Sequence, residues 1–200
     1  MNLTYDKIKD AVLAKDYKWF ESDSYNLNIV GVRNSDTNDE VTNKFDDKIT
    51  LSYLIGNDRQ FHEFDCTTDP GKHWVENVMN DSGVAILVPG QYRGSHQIGL
   101  HQGRYEALRQ QKPVKVYRDN NLDDCYDFDE SSIQEGIFGI NIHRATKYAG
   151  KKSSQIDKWS AGCQVIAAYN DFIHFMQICN NAKDIWGNSF TYTLIESKDL

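Results

Sequence analysis

The chain has 200 residues, a formal net charge of −7 and an isoelectric point near 5.3, with 40% hydrophobic and 26% charged residues. These values are typical of one globular domain with a sizeable core. They argue against nucleic acid as the main partner, because phosphate binding depends on lysine and arginine, and no apolar run approaches the length of a membrane span.

The elements in chain order begin with apolar residues at helical spacing, which predict a helix over 4–15 within an N-terminal extension of residues 1–20. Alternating or β-branched runs then predict strands at 25–33, 48–56, 84–90, 114–119, 136–145 and 189–196. Two further helices are predicted at 103–111 and 170–182, the second capped by Asn170 or Asp171. Without an internal repeat or linker, residues 1–200 are expected to form a single β-rich α+β domain with few helices.

No secretory signal is predicted, because the N-terminal residues have neither an apolar run nor a small-residue cleavage site. Synthesis in the cytoplasm is therefore expected, and a target outside it would require export or release by another route.

No metal and no organic cofactor is predicted. The four cysteines lack paired metal-type spacing, and His96 and His101 with Glu106 match no strong zinc motif. The acidic run 119–132 is interpreted as a solvated loop, and the alternative is a calcium site, although the run lacks the full EF-hand pattern.

The segment "KWSAGCQVI" (158–166) raises the question of whether Cys163 is a nucleophile or a small core residue. A thiol nucleophile needs a base and backbone N–H groups that stabilise the oxyanion. Gly162 permits a turn that aims its own amide and that of Cys163 at one point. Among six histidines, His143 has the most suitable context, since Ile140 and Ile142 alternate with it and leave it on the opposite face of a strand.

Other polar residues are candidates for substrate contact, each with a structural alternative. Tyr92 and Arg93 follow a strand end, which is a common place for substrate contacts but also for a plain surface turn. His96 is expected to line a substrate groove together with His101. Arg144 has the guanidinium that suits a substrate carboxylate, or is an ordinary surface arginine.

Ser160 is grouped with these substrate-site residues, and we expect it to support the turn before Cys163 by hydrogen bonding. A structural role remains the alternative for His143, and a core role for Cys163.

His143, sixteen intervening residues and then "SAGC" (160–163) resemble the His…Ser-x-Gly-Cys signature of the L,D-transpeptidase (YkuD-type) catalytic domain. The resemblance implies a β-sandwich or barrel domain whose cysteine attacks a peptide carbonyl in peptidoglycan stem peptides. It implies that His143 is the base, oriented by the backbone carbonyl of Arg144. It also implies an oxyanion hole from the Gly162 and Cys163 amides.

Further stretches resemble this family or its phage and prophage relatives. "TTDPGKHW" (67–74) is similar to the strand and turn that precede the active site in such domains. Residues in four stretches resemble phage and prophage proteins of this type: 25–34, 43–47, 89–96 and 139–145. The sequence departs from the family where a histidine is usual, at Ala161, and where an arginine or asparagine is usual, at Val165.

The expected function is cysteine-dependent acyl transfer on peptidoglycan stem peptides, by hydrolysis, remodelling or L,D-transpeptidation. The lack of a signal favours a phage-type endolysin that reaches the cell wall or periplasm after release or delivery. The alternative is a non-catalytic phage structural or wall-binding protein that keeps the fold, which the residues at 161 and 165 favour.

Overall fold

The computed structural model describes residues 1–200, and its strands form a closed eight-stranded barrel and a separate three-stranded sheet. The strands are β1 (Asn28–Arg33), β2 (Asp47–Ile55), β3 (Asp58–Thr67), β4 (Val84–Leu87), β5 (Gly90–His101), β6 (Tyr105–Gln110), β7 (Val114–Asp119), β8 (Gln134–Gly136), β9 (Ile142–Arg144), β10 (Gln164–Ile166) and β11 (Phe190–Glu196). The barrel order is β1-β11-β5-β6-β9-β10-β3-β2, and β4, β7 and β8 form the small sheet. The predicted β-rich α+β class with few helices is confirmed.

Three helices accompany the strands: α1 (Tyr5–Ala14), α2 (Lys72–Glu76) and α3 (Tyr169–Trp186). The predicted helices at 4–15 and 170–182 are confirmed. The predicted cap of α3 is wrong. The helix begins at Tyr169, its N-cap is Ala168 and not Asn170 or Asp171, and no side chain makes a capping bond. None of the three helices has both the length and the apolar content of a membrane-spanning segment.

The predicted helix at 103–111 is wrong, because this segment contains β6, which forms a hairpin with β5. Gln102 and Gly103 both have positive φ, 51° and 70°, and reverse the chain tightly. The segment is rich in helix-forming residues, but Ala107 and Leu108 bury their side chains completely in the barrel. Tertiary pairing has overridden local propensity here.

The predicted strand at 136–145 is divided. β8 ends at Gly136, residues 137–141 lie outside regular strands, and β9 resumes at Ile142. Gly139 takes a positive φ of 77° within the break. This break carries Ile140 and Asn141 across the end of the barrel, next to the segment that holds Cys163.

A core of 26 buried residues fills the barrel and the space beneath α3, which contributes Phe172, Phe175 and Met176. The helix α1 covers the outer face of the barrel, where Ile8 and Val12 pack against Val30, Val32 and Ile195. Burial of this second cluster joins the N-terminal segment to the barrel. Fully burying a side chain of this size stabilises the fold by roughly 1.5–3 kcal/mol.

Candidate active site

The turn before β10 holds Cys163 at one end of the barrel. Strand β10 pairs in parallel with β9, so that Gln164 lies beside Ile142 and Val165 beside His143. This register brings the turn next to the base predicted from the sequence. Val165 is buried inside the sheet, so the chain places an apolar side chain at this position and not a polar group facing a substrate.

Gly162 is required by the shape of this turn. Its φ of 124° lies in the region that favours glycine, and a Cβ at this position would fall on the carbonyl oxygen of Ala85. The predicted backbone role of Gly162 therefore has a steric basis.

Ser160 is fully buried and holds the turn closed. Its hydroxyl donates to the carbonyl of Cys163 at 2.8 Å and accepts from the N–H of Gly162 at 3.1 Å. The expected support of the turn is confirmed, whereas substrate contact by Ser160 is wrong, because its side chain does not reach the surface. The prediction that the Gly162 amide contributes to an oxyanion hole also needs correction, since this N–H is occupied by Ser160. The N–H of Cys163 is in no bond to another backbone group.

The Cys163 thiol is neutral in this structure. Its Sγ donates to the carbonyl oxygen of Gly139 at 3.2 Å. Burial raises the pKa of the thiol to about 11, against a smaller lowering by the backbone N–H of Asn141. Desolvation disfavours the thiolate more than this single donor stabilises it.

His143 is a neutral imidazole with a fixed tautomer. Its Nδ1 lies 3.0 Å from the carbonyl oxygen of Arg144, which can only accept, so Nδ1 carries the proton and Nε2 is free to accept one. This is the hydrogen bond that the family resemblance implies. Burial, with a smaller contribution from the neighbouring His101, lowers the pKa of His143 to about 3.

His101, at the end of β5, is stacked on His143 with ring centroids 4.2 Å apart and planes 24° apart. The Nδ1 of His101 lies 3.4 Å from the side-chain nitrogen of Asn141, which can only donate. The proton of His101 is therefore on Nε2. Asn141 also accepts from the N–H of Gln110 at 2.9 Å, which links β6 to the break before β9.

Cys163 and His143 line one cleft of about 1130 Å³. Its wall contains four cationic side chains and no carboxylate, in a chain whose net charge is −7. The cations are Arg104, Arg144, Lys147 and Lys158, and the aromatic residues are Trp74, Tyr105, Tyr148 and Trp159. The cleft is therefore suited to an anionic ligand with apolar or ring-shaped portions.

Arg144 lines this cleft. Its guanidinium stacks over Tyr105, with 4.2 Å to the ring centroid, and over Tyr169, with 5.3 Å. It donates one hydrogen bond to the carbonyl of Thr146 at 2.9 Å. No carboxylate forms an ion pair with Arg144, so its charge faces the cleft without compensation within the chain.

The structure places three predicted substrate-contact residues outside the cleft of Cys163. His96 is buried away from the cleft, with Nε2 donating to the carbonyl of Ile140 at 2.8 Å. Tyr92 donates to the carbonyl of Val88 at 2.6 Å and is held against the barrel core. Arg93 lines a different pocket, near Phe20, where it stacks over the ring at 5.9 Å. All three residues belong to β5. The sequence analysis did not predict this strand, so it could not give the direction of their side chains.

The segment at 67–74 lies beside the site, as its resemblance implies. The N–H of Gly71 donates to the carbonyl of Ser160 at 2.8 Å, and the indole of Trp74 donates to the carbonyl of Lys158 at 3.2 Å. The sequence analysis missed Trp74, Tyr105, Lys147, Lys158 and Trp159 as cleft residues. The sequence signal that could have located Tyr105 is a hairpin with its turn at Gln102 and Gly103. Such a hairpin pairs Tyr105 with His101.

Comparison of the chain with protein-family models, with curated proteins and with solved structures gave no match.

Proposed function

We propose that this protein is a cysteine-dependent acyl-transfer enzyme of the L,D-transpeptidase type that acts on peptidoglycan stem peptides. The proposal rests mainly on one observation: His143 and Cys163 reach the same cleft, and the Arg144 carbonyl fixes His143 in the tautomer whose Nε2 accepts a proton. This arrangement follows from the order of histidine and cysteine in the sequence and from the pairing of β9 with β10.

The reaction would begin from a neutral thiol and a neutral imidazole. As the Cys163 sulphur attacks the peptide carbonyl carbon, its proton passes to Nε2 of His143, and the free N–H of Cys163 stabilises the oxyanion. The C–N bond then breaks, and the leaving amine takes the proton from His143. Water or an acceptor amine attacks the thioester through the same base and restores the thiol. No cofactor takes part in these steps.

The charge of the cleft supports a substrate with carboxylates. Arg144 and Lys147 lie beside the catalytic pair, and Arg104 and Lys158 complete a wall without an acidic group. Stem peptides carry carboxylates at their ends, and a guanidinium binds a carboxylate through two parallel hydrogen bonds. The exposed rings at Trp159 and Tyr148 would contact the apolar parts of the stem.

Hydrolysis or remodelling is the proposed outcome, performed by a phage-type protein that reaches the cell wall or periplasm by release or delivery. The openness of the cleft to water favours hydrolysis, because Lys147, Lys158 and Tyr148 are exposed along its edge. Transfer to an amine would instead give a new crosslink.

A second function, wall binding without catalysis, is favoured by the state of the catalytic pair. The Cys163 thiol donates to Gly139, burial raises its pKa to about 11, and the Gly162 N–H is already bonded to Ser160. A binding protein that has kept the fold would use the cationic and aromatic cleft alone.

Muropeptide mass spectrometry after incubation with purified sacculi separates these functions. The wild type is expected to remove crosslinked dimers or terminal residues, and Cys163→Ala to lose this activity while still binding sacculi. Cys125→Ala is the matched control, since Cys125 is exposed and lies outside the cleft. New crosslinks or exchanged D-amino acids would identify a transpeptidase. Identical muropeptides with and without the wild type would reject catalysis, and retained binding would then identify the wall-binding function.

A further inference from the structure

The acidic segment between β7 and β8 has the ligand spacing of a calcium loop at all but one position. Oxygen-bearing side chains occur at Asp119, Asn121, Asp123, Asp127 and Glu130, which correspond to the first, third, fifth, ninth and twelfth places of such a loop. The place normally taken by glycine is Asp124. The chain reverses two residues earlier instead, where Leu122 has a positive φ of 63°.

An independent observation comes from Asp119, the last residue of β7. Its side chain is buried, with only 1% of the residue exposed, and neither carboxylate oxygen has a hydrogen-bond partner. Asn121 and Asp127 lie beside this carboxyl group, so it points into the loop. A buried carboxylate without a partner is strongly unfavourable unless a cation compensates it.

The rest of the loop is arranged around a positive group. The side-chain nitrogen of Asn121 donates to Asp123 at 3.0 Å and to Asp127 at 2.9 Å, so two carboxylates converge on one amide. The carboxylates do not yet converge on a common metal position. Rotation of the Asn121 amide would replace the nitrogen with its oxygen and open a position between them.

No lysine or arginine neutralises these groups. Within the segment only Asp124 forms an ion pair, with Lys72 at 2.7 Å. Asp119, Asp123 and Asp127 therefore hold three negative charges close together with no cation from the chain. An oxygen-only set of this charge, on an irregular loop, is typical of Ca²⁺, whereas Mg²⁺ requires a near-ideal octahedron and retains its waters.

We propose that the loop at 119–127 binds one Ca²⁺ ion through Asp119, Asn121, Asp123 and Asp127. The ion would stabilise a connection that reaches the edge of the cleft. The N–H of Tyr126 donates to the carbonyl of Asp39 at 2.7 Å, and its hydroxyl donates to the carbonyl of Pro70 at 2.7 Å. Pro70 directly precedes the segment that carries Trp74. This site is independent of the proposed catalytic function.

The test uses the full chain freed of metal with a chelator and titrated with CaCl₂ by isothermal calorimetry, with a thermal melt at each concentration. We expect one Ca²⁺ per chain, a melting temperature that rises by several degrees, and a smaller rise with the same concentration of MgCl₂. Asp123→Asn, at an exposed position, is expected to weaken Ca²⁺ binding at least tenfold. The matched control is Asp129→Asn, in the same acidic run, whose side chain bonds only to Ser131; it should bind Ca²⁺ like the wild type.

Asp119→Asn supplies a signature that a simple loss of folding cannot imitate. Removal of the buried charge should leave the metal-free chain as stable as the wild type or more so, while the Ca²⁺-dependent rise in melting temperature disappears. Absence of binding heat and of a melting shift in the wild type at millimolar Ca²⁺ would overturn the proposal. So would equal Ca²⁺ affinity in the wild type, Asp119→Asn and Asp123→Asn.

Discussion

His96 is expected to make the fold sensitive to acid, and the size of the effect follows from its burial. The folded chain lowers the pKa of His96 from 6.5 to about 4, because the ring is desolvated, while the carbonyl of Ile140 partly opposes this shift. Between these two values the unfolded chain binds a proton that the folded chain does not. Stability therefore falls as the pH drops below 6.5, and the loss levels off below about 4.

At pH 5, about 1.5 pH units below the unfolded pKa, the loss from this one group is about 2 kcal/mol, since one unit corresponds to about 1.4 kcal/mol. His96→Gln removes the titration and retains a nitrogen donor for Ile140. Urea unfolding of both proteins at pH 7.5 and pH 5 is the assay. The stability difference between the two pH values should be smaller in the variant by about 2 kcal/mol. Equal differences in the two proteins would refute the reasoning, because His96 would then titrate normally in the folded state.

Three further changes have defined outcomes. Gly162→Ala should abolish muropeptide release, because the added Cβ would fall on the Ala85 carbonyl and displace the turn. Muropeptide release at the wild-type level by this variant would contradict the expectation. Tyr192→Phe should lower the free energy of unfolding by about 1–3 kcal/mol in a urea titration. The variant lacks the hydroxyl that donates to the buried Oε1 of Gln164 at 2.7 Å, so this oxygen loses its hydrogen bond. Arg144→Gln should raise KM for stem peptides about tenfold with little change in kcat, and an unchanged KM would remove Arg144 from carboxylate binding.

Strands with an alternating or a continuous apolar pattern were predictable. A strand buried on one face has an apolar residue at every second position, and a strand buried on both faces has a continuous apolar run. The segments 28–33 and 190–196 are examples, and both are barrel strands. Strand β3 was missed, since its first six residues are exposed or half-buried and read "DRQFHE" without an apolar face. Strand β6 was misassigned because its helix-forming residues conceal a hairpin fixed by the turn at Gln102.

The central pair of the candidate site was predictable from spacing and residue type, whereas its surroundings were not. The bond from His143 to the Arg144 carbonyl joins neighbours in sequence, and it was expected from the family resemblance. The stack of His101 on His143 depends on β5 and β9 lying on either side of β6, which is a property of the barrel. The inward direction of His96 has the same origin.

The parallel pairing of β1 with β11 has a consequence for the order in which the barrel assembles. Strand β11 joins β1 to β5, so before residues 190–196 have left the ribosome both neighbours have an unpaired edge and the barrel is open. Contacts this distant in sequence form slowly and late. His143 and Cys163 are synthesised before β11, so the candidate site leaves the ribosome while the barrel that carries it is still open. Until β11 inserts, the sheet that carries both residues therefore remains open along the edges of β1 and β5.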